Sequence, residues 1–135
     1  MAIILDTNVI IQGEKGAFDL AEWMDQHEDE PLEIAAISVA ELWHGVERAT
    51  VEHRTLRAKY ITAVLNVLSI VPYTEATALE HARIWAALEA SGNMTGFYDL
   101  IVAATAVERE STVATFNRRH FDKVKGLKVI EPKMR

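Results

Sequence analysis

The sequence predicts an α/β fold in which helices flank a central, mostly parallel sheet of four or five strands. Helical segments alternate with short apolar runs along the whole chain, which is the pattern of βα units. The first of these runs, residues 3–5, is continuously apolar, as expected for a strand that is covered on both faces. There is no internal repeat, low-complexity tract or linker, so we expect residues 1–135 to form one domain.

Five apolar runs are predicted as strands. The first is Ile-Ile-Leu, and it ends abruptly in a carboxylate, Asp6. The third is closed by Pro72, and the fourth is followed directly by Phe116 and Asn117. The predicted strands cover residues 3–5, 32–37, 69–72, 111–115 and 127–130.

The helices between these strands are predicted from apolar residues at helical spacing. Gly13 and Gly16 are expected to break the first helix, Pro31 follows the second, and Thr74 is the expected N-cap of the fifth. The sixth is apolar on nearly all sides, which is typical of a helix buried in the core. The predicted helices cover residues 7–12, 17–27, 38–49, 52–68, 74–91 and 99–107.

Composition and charge narrow the classes of function. The chain has no cysteine, which excludes a disulfide framework and thiolate chemistry. No apolar run approaches the roughly 20 residues that cross a bilayer, and no signal peptide is evident, so we expect a cytoplasmic protein. The net charge is −6, yet residues 118–135 carry seven basic and two acidic residues. This basic tail indicates a polyanion-binding surface, with a solvated face as the alternative.

Several polar side chains follow predicted strands directly or open the helices between them. Because parallel strands end at one edge of a sheet, we expect these side chains to meet there. Each has a structural alternative: Asp6 can cap a helix, Glu41 can complete a capping box with Ser38, and Asp99 can cap its own helix. The residues expected at this edge are Asp6, Asn8, Ser38, Glu41, Asp99 and Asn117.

Three carboxylates at one edge call for a cation. Placed ~5 Å apart, they would repel by about 3 kcal/mol per pair at an effective dielectric constant near 20. Oxygen ligands without His or Cys suit Mg²⁺ or Mn²⁺. His81 has no other His or Cys at ligand spacing, so we expect it to be a structural histidine. A hard divalent ion beside a basic rim is typical of enzymes that cut phosphodiester bonds.

Four segments in order resemble the four motifs of PIN domains. In size and spacing they are similar to the VapC toxins of bacterial type II toxin–antitoxin systems, and the likeness spans residues 3–130. The segments are Leu5-Asp6-Thr7-Asn8-Val9, Ser38-Val39-Ala40-Glu41-Leu42, Asp99-Leu100-Ile101-Val102-Ala103-Ala104-Thr105-Ala106 and Thr115-Phe116-Asn117.

The resemblance implies a PIN-like fold and an activity. The implied protein is an Mg²⁺-dependent or Mn²⁺-dependent endoribonuclease toxin that hydrolyses RNA with metal-activated water. It would form a homodimer, and a VapB-type antitoxin would inhibit it in a heterotetramer or larger complex. We expect that antitoxin to cross a hairpin made by helices 38–49 and 52–68. The apolar face of this hairpin around Trp43, Val46, Val64 and Leu68 looks larger than the core needs, so we expect a second subunit or an antitoxin helix to cover some of it.

The resemblance also assigns roles to single residues. Asp6, Glu41 and Asp99 match the acidic metal ligands. Asn117, a fourth candidate catalytic residue, stands where many relatives carry another acid, which weakens the case for a second metal ion. The expected supporting residues are Asn8, Ser38 and Thr115, the expected RNA contacts are Arg118 and Arg119, and His120, at a position where relatives often have Asp, is not expected to be catalytic.

Three alternatives remain open at this point. A phosphatase of the haloacid dehalogenase type also begins with a strand and an aspartate, but its second acid would here be Asn8. A non-catalytic PIN-like module would bind RNA or a partner without cutting. A free-standing RNA-processing nuclease would share the site and lack an antitoxin.

Overall fold

The computed structural model describes residues 1–135 and has five short strands and seven helices. The strands are β1 Ile3–Leu5, β2 Leu32–Ala35, β3 Ser69–Val71, β4 Thr112–Ala114 and β5 Lys128–Ile130. The helices are α1 Thr7–Glu14, α2 Leu20–Gln26, α3 Ala36–Arg48, α4 Val51–Leu65, α5 Glu75–Ser91, α6 Phe97–Glu108 and α7 Arg118–Phe121. None of the helices is both long and apolar enough to cross a bilayer.

The strands form one parallel sheet in the order β3-β2-β1-β4-β5. The predicted α/β class and strand number are therefore confirmed, and the sheet is parallel throughout. The central strand β1 pairs Ile3 with Leu32 of β2 and Leu5 with Ala114 of β4. This pairing brings the ends of β1 and β4, and the polar residues that follow them, side by side.

The core lies on both faces of the sheet. Along β1, Ile3 and Leu5 belong to an apolar cluster with α1 to α4, whereas Ile4 belongs to a second cluster with α5 to α7. Alternate residues of a strand point to opposite faces, so a continuous apolar run can serve both clusters. Helix α6 is the centre of the second cluster, with Leu100, Val102 and Ala104 at most 1% exposed. The prediction of a buried sixth helix is confirmed.

The predicted start of α3 is wrong by two residues. Strand β2 ends at Ala35, and α3 begins at Ala36, with Ala35 as an N-cap that forms no side-chain capping bond. The apolar run 32–37 is divided between a buried strand and the first turn of a helix, and periodicity cannot divide such a short run. Ser38 lies inside α3 and does not cap it, so the capping box with Glu41, which was the structural alternative for this residue, is absent.

Helix α1 continues through Gly13, where the sequence predicted a break. A Cβ atom at this position would lie 2.7 Å from the Tyr60 hydroxyl oxygen and 2.9 Å from Cβ of Leu20. Tyr60 donates a hydrogen bond of 2.7 Å to the carbonyl of Ile10 in the same helix. Gly13 therefore permits close packing of α1 against its neighbours, and Gly16, with φ of +80°, follows the helix end.

The expected apolar surface on the α3–α4 hairpin is mostly internal. Val46, Val64 and Leu68 are 4%, 8% and 7% exposed and belong to the first core cluster, and Trp43 is partly buried against them. The expectation of a large free apolar face is wrong for Val46, Val64 and Leu68, because the first core cluster, which includes residues of α1 and α2, already buries them. His81 is also internal, 7% exposed, with Nδ1 2.8 Å from the Tyr73 hydroxyl.

Candidate active site

Asp6 follows β1 directly and is held from two sides. The backbone N–H of Thr7 donates to its Oδ1 at 2.9 Å, and the hydroxyl of Thr115 donates to its Oδ2 at 2.8 Å. The first bond makes Asp6 the N-cap of α1, as the structural alternative proposed. The second bond comes from the residue after β4. Asp6 can therefore cap α1 and belong to the site at once, because Oδ1 accepts the capping bond and Oδ2 accepts the bond from Thr115.

Glu41 lies one turn further along α3 than Ser38 and faces the start of α1. Its Oε1 accepts a hydrogen bond of 3.0 Å from the hydroxyl of Thr7. Sequence analysis missed this role of Thr7. The sequence could have indicated this role, because Thr7 lies between Asp6 and Asn8 and a hydroxyl in the first turn of a helix can reach a neighbouring element. Thr7 therefore links Asp6, through its backbone, to Glu41, through its side chain.

Asp99 lies in the first turn of α6 and contacts the segment after β4. Its Oδ2 is 2.9 Å from Nδ1 of His120. An ionised carboxylate only accepts hydrogen bonds, so the proton of this contact sits on Nδ1. The side chains of Asp99 and His120 are 24% and 38% exposed, so the pair lies at the mouth of the site. His120 was not expected to be catalytic, and in the structure its imidazole contacts the Asp99 carboxylate.

Thr115 connects several of the predicted residues. It is fully buried, and while its hydroxyl donates to Asp6, its oxygen accepts from the Asn117 backbone N–H at 2.9 Å and from Asn8 Nδ2 at 3.4 Å. Asn8 Oδ1 in turn accepts from the Phe116 backbone N–H at 3.2 Å. The turn after β4 is thereby tied to α1.

Four predicted residues stand apart from these bonds. The Asn117 side chain is exposed and forms no hydrogen bond, so only its backbone takes part. Ser38 is fully buried, and its hydroxyl has no hydrogen-bond partner. Arg118 forms an ion pair of 3.3 Å with Asp122. Arg119 is exposed and forms no ion pair, so its guanidinium is available to a ligand.

The carboxylates influence one another electrostatically. The pKa of Asp6 is raised from 3.8 to about 6. Burial is the largest cause, the charges of Asp99 and Glu41 add to it, and the Thr115 hydrogen bond opposes it. Burial likewise raises the pKa of Glu41, against the Thr7 hydrogen bond and with help from the Asp99 charge. Like charges that disfavour one another in a partly dry site favour a bound cation.

The residues fit a hard divalent ion by chemistry and by charge. The donors that face one another are carboxylate and hydroxyl oxygens, which are the ligands that Mg²⁺ and Mn²⁺ prefer. The side chains do not form a closed triad: no three His, Cys, Asp or Glu side chains lie close enough to hold one ion together. Each carboxylate is instead engaged by its own neighbour, namely Thr115, Thr7 or His120.

Comparisons with known proteins identify the family. The model of the PIN domain matches residues 3–127. A relative from Sinorhizobium fredii, "VapC ribonuclease Y4jK", is 33% identical over 138 residues, with 96% of each chain covered. The match to the PIN domain excludes the phosphatase alternative.

Solved structures agree with this match. The chain superposes on the structure of VapBC2 from Rickettsia felis bound to a promoter DNA fragment with a TM-score of 0.90 and 21% identity, over 97% of this chain and 98% of that one. It also matches VapBC-5 from Mycobacterium tuberculosis, a member of the VapBC family of toxin–antitoxin systems, with a TM-score of 0.72, 26% identity and 98% coverage of both chains. The chain therefore belongs to the PIN-domain family, on the VapC branch of that family.

Proposed function

We propose that this protein is a divalent-metal-dependent endoribonuclease and the toxin of a VapBC-like toxin–antitoxin pair. The observation that carries the proposal is the carboxylate of Asp6, whose pKa is raised chiefly by burial and, to a smaller extent, by the charges of two further carboxylates, Asp99 and Glu41. A relative at 33% identity is named a VapC ribonuclease, which supports the reaction. A cytoplasmic location goes with this proposal.

In this proposal Asp6, Glu41 and Asp99 turn their carboxylates towards one Mg²⁺, for which Mn²⁺ can substitute. The carboxylates have to move to do so, because in the structure no three of these side chains lie close enough to hold an ion together. The ion would activate water and neutralise charge that develops on the scissile phosphate. Thr115 and Thr7 orient Asp6 and Glu41 through the hydrogen bonds described above. Asn8 and Ser38 support the site, and Asn117 offers an uncharged amide where an additional acid would favour a second ion.

Substrate binding is assigned to the basic segment after β4. The body of the protein is acidic and repels a polyanion, whereas residues 118–135 carry seven basic residues. Arg118 and Arg119 are exposed and follow the site within four residues of Thr115. Their guanidinium groups can bind backbone phosphates bidentately, which positions RNA without reading its sequence.

The proposed inhibitor is a VapB-type antitoxin, and the proposed assembly is a homodimer that joins it in a heterotetramer or larger complex. VapBC-5, at 26% identity, belongs to a family of toxin–antitoxin systems, which supports such a partner. We expect the antitoxin to send an arginine towards the carboxylates, where it would replace the charge of the metal. Antitoxin and Mg²⁺ should then compete when Mg²⁺ is titrated against the complex at fixed ionic strength. Affinity that is indifferent to Mg²⁺ would instead favour steric occlusion of the RNA path.

Cleavage of RNA by the purified chain tests the proposed activity. We expect cleavage in Mg²⁺ or Mn²⁺, none in excess chelator, and none by the Asp99→Asn variant. The matched control is Asp25→Asn, because Asp25 is an exposed aspartate on α2 whose side chain takes part in no hydrogen bond or ion pair. Cleavage in chelator would contradict the proposal. RNA binding without cleavage, together with no divalent affinity, would favour the non-catalytic module.

A further inference from the structure

We infer that His120 is a positioning residue for Asp99, and that it sets the affinity of the site for a divalent ion. This inference rests on the proposed function. Its basis is the contact of 2.9 Å between Nδ1 of His120 and Oδ2 of Asp99, two residues separated by 21 positions in the sequence. No comparison or family resemblance assigns a role to His120.

The three carboxylates differ in how they are held. Asp6 has two donors that are themselves buried, and Glu41 has the Thr7 hydroxyl. Asp99 accepts a hydrogen bond from one side chain alone, the imidazole of His120. That bond is the one side-chain hydrogen bond that orients the Asp99 carboxylate, which lies on the first turn of α6 and is partly exposed.

Asp99 also has a competing local conformation. It is the third residue of α6, and the N-cap Gly96 provides no side-chain capping bond. A carboxylate at the third helical position commonly folds back onto the N-cap amide. Oδ2 of Asp99 lies close to the N-cap, 3.4 Å from where a Cβ atom on Gly96 would stand, yet it forms no hydrogen bond with the Gly96 amide and contacts Nδ1 of His120 instead. The imidazole occupies Oδ2 and leaves the second oxygen free for a ligand.

The backbone that carries the imidazole is itself fixed by its surroundings. The backbone N–H of His120 donates to the Asn117 carbonyl at 2.9 Å, and the next residue, Phe121, is fully buried in the core. Thr115 and His120 belong to one short segment, and they hold Asp6 and Asp99 respectively. That segment therefore fixes the position of two carboxylates relative to each other.

Hydrogen bonds to metal-binding carboxylates commonly change metal affinity or activity by 10–100-fold when they are removed. We expect His120→Ala to weaken Mn²⁺ binding by about that factor. His120→Asn should restore most of the affinity, because the Asn amide nitrogen occupies nearly the place of Nδ1. His120→Gln places its amide nitrogen nearer to the place of Nε2 and should restore less. His53→Ala is the matched control, since His53 is exposed on α4.

The test measures Mn²⁺ binding to the full chain by the electron paramagnetic resonance signal of the free ion, with thermal unfolding in chelator as the fold check. The expected order of affinity is wild type and His53→Ala, then His120→Asn, then His120→Gln, then His120→Ala. A folded His120→Ala variant that binds Mn²⁺ like the wild type would overturn the role of His120 and leave the proposed function standing. A wild-type chain without Mn²⁺ affinity would overturn both. If His120→Ala is unfolded, equal affinities of His120→Asn and His120→Gln, both below wild type, would overturn the donor assignment.

Discussion

The stability of this protein should fall as the pH rises, because the buried carboxyl of Asp6 then loses its proton. The carboxyl of Asp6 is 5% exposed and has a pKa of about 6, against 3.8 for the ordinary group. Between these two values the folded chain keeps a proton that the unfolded chain has released. The contribution of the neutral carboxyl is fully present below pH 3.8 and is lost as the pH rises through about 6.

The size of the effect follows from the shift. A shift of one pKa unit corresponds to 1.36 kcal/mol, so a shift of about two units gives a loss of about 3 kcal/mol. Roughly 2 kcal/mol of this loss should fall between pH 4.5 and pH 7. For a chain of this length, 3 kcal/mol corresponds to a change in melting temperature of roughly 10 °C.

Urea unfolding in chelator at pH 4.5, 5.5, 6.5 and 7.5 measures this directly. Other carboxyl groups also titrate in this range, so the informative quantity is the difference in unfolding free energy between Asp6→Asn and the wild type. Asn cannot ionise, and any change in hydrogen bonding with Thr115 adds an offset that does not depend on pH. The variant should gain about 2 kcal/mol on the wild type as the pH rises from 4.5 to 7. A difference that is flat across this range would refute the assignment of a raised pKa to Asp6.

Three further substitutions separate the parts of the site from the parts of the fold. Glu41→Gln should abolish cleavage and change the unfolding free energy by less than about 1 kcal/mol, because Gln can still accept from Thr7; an undiminished cleavage rate would return Glu41 to a structural role. Thr115→Val should weaken Mn²⁺ binding and raise the pKa of Asp6, since the buried carboxylate loses a donor; an unchanged pH dependence of stability would contradict this. Arg109→Ala should destabilise the fold by about 2 kcal/mol without affecting metal affinity, because Glu33 is then buried without its ion pair. Breaking a fully buried ion pair costs about 3–5 kcal/mol, and the partial exposure of Arg109 lowers that cost. A loss below about 0.5 kcal/mol by urea unfolding would show that the pair is dispensable.

The sequence was sufficient to predict the class of fold. A continuous apolar run such as Ile3–Leu5 indicates a strand covered on both faces, and five short strand-like runs between helices indicate a parallel sheet. The boundary at Ala35 was not predictable, because residues 32–37, apolar except for Glu33, fit either a strand or a buried helix turn. The packing of Gly13 depends on Tyr60, which is remote in sequence, so local propensity predicted a break in error.

Parts of the candidate site were also accessible from the sequence. Asp6, Asn8 and Thr115 were named because they follow strands or open helices, and the pairing of β1 with β4 brings them together. The partnership of Thr7 with Glu41 and of His120 with Asp99 depends on which way side chains turn in three dimensions. No spacing rule encodes such contacts. For the same reason the hairpin face at Val46 and Val64 appeared to be free, although α1 and α2 cover it.

The proposed metal site requires Asp6, Glu41 and Asp99 to bind one divalent ion together. Anomalous diffraction from crystals of the chain soaked in Mn²⁺ locates that ion. We expect one anomalous peak among these three side chains, and carboxylate oxygens at about 2.0–2.1 Å from the ion when Mg²⁺ replaces Mn²⁺. A peak elsewhere, or no peak at saturating Mn²⁺, would contradict the proposed metal site.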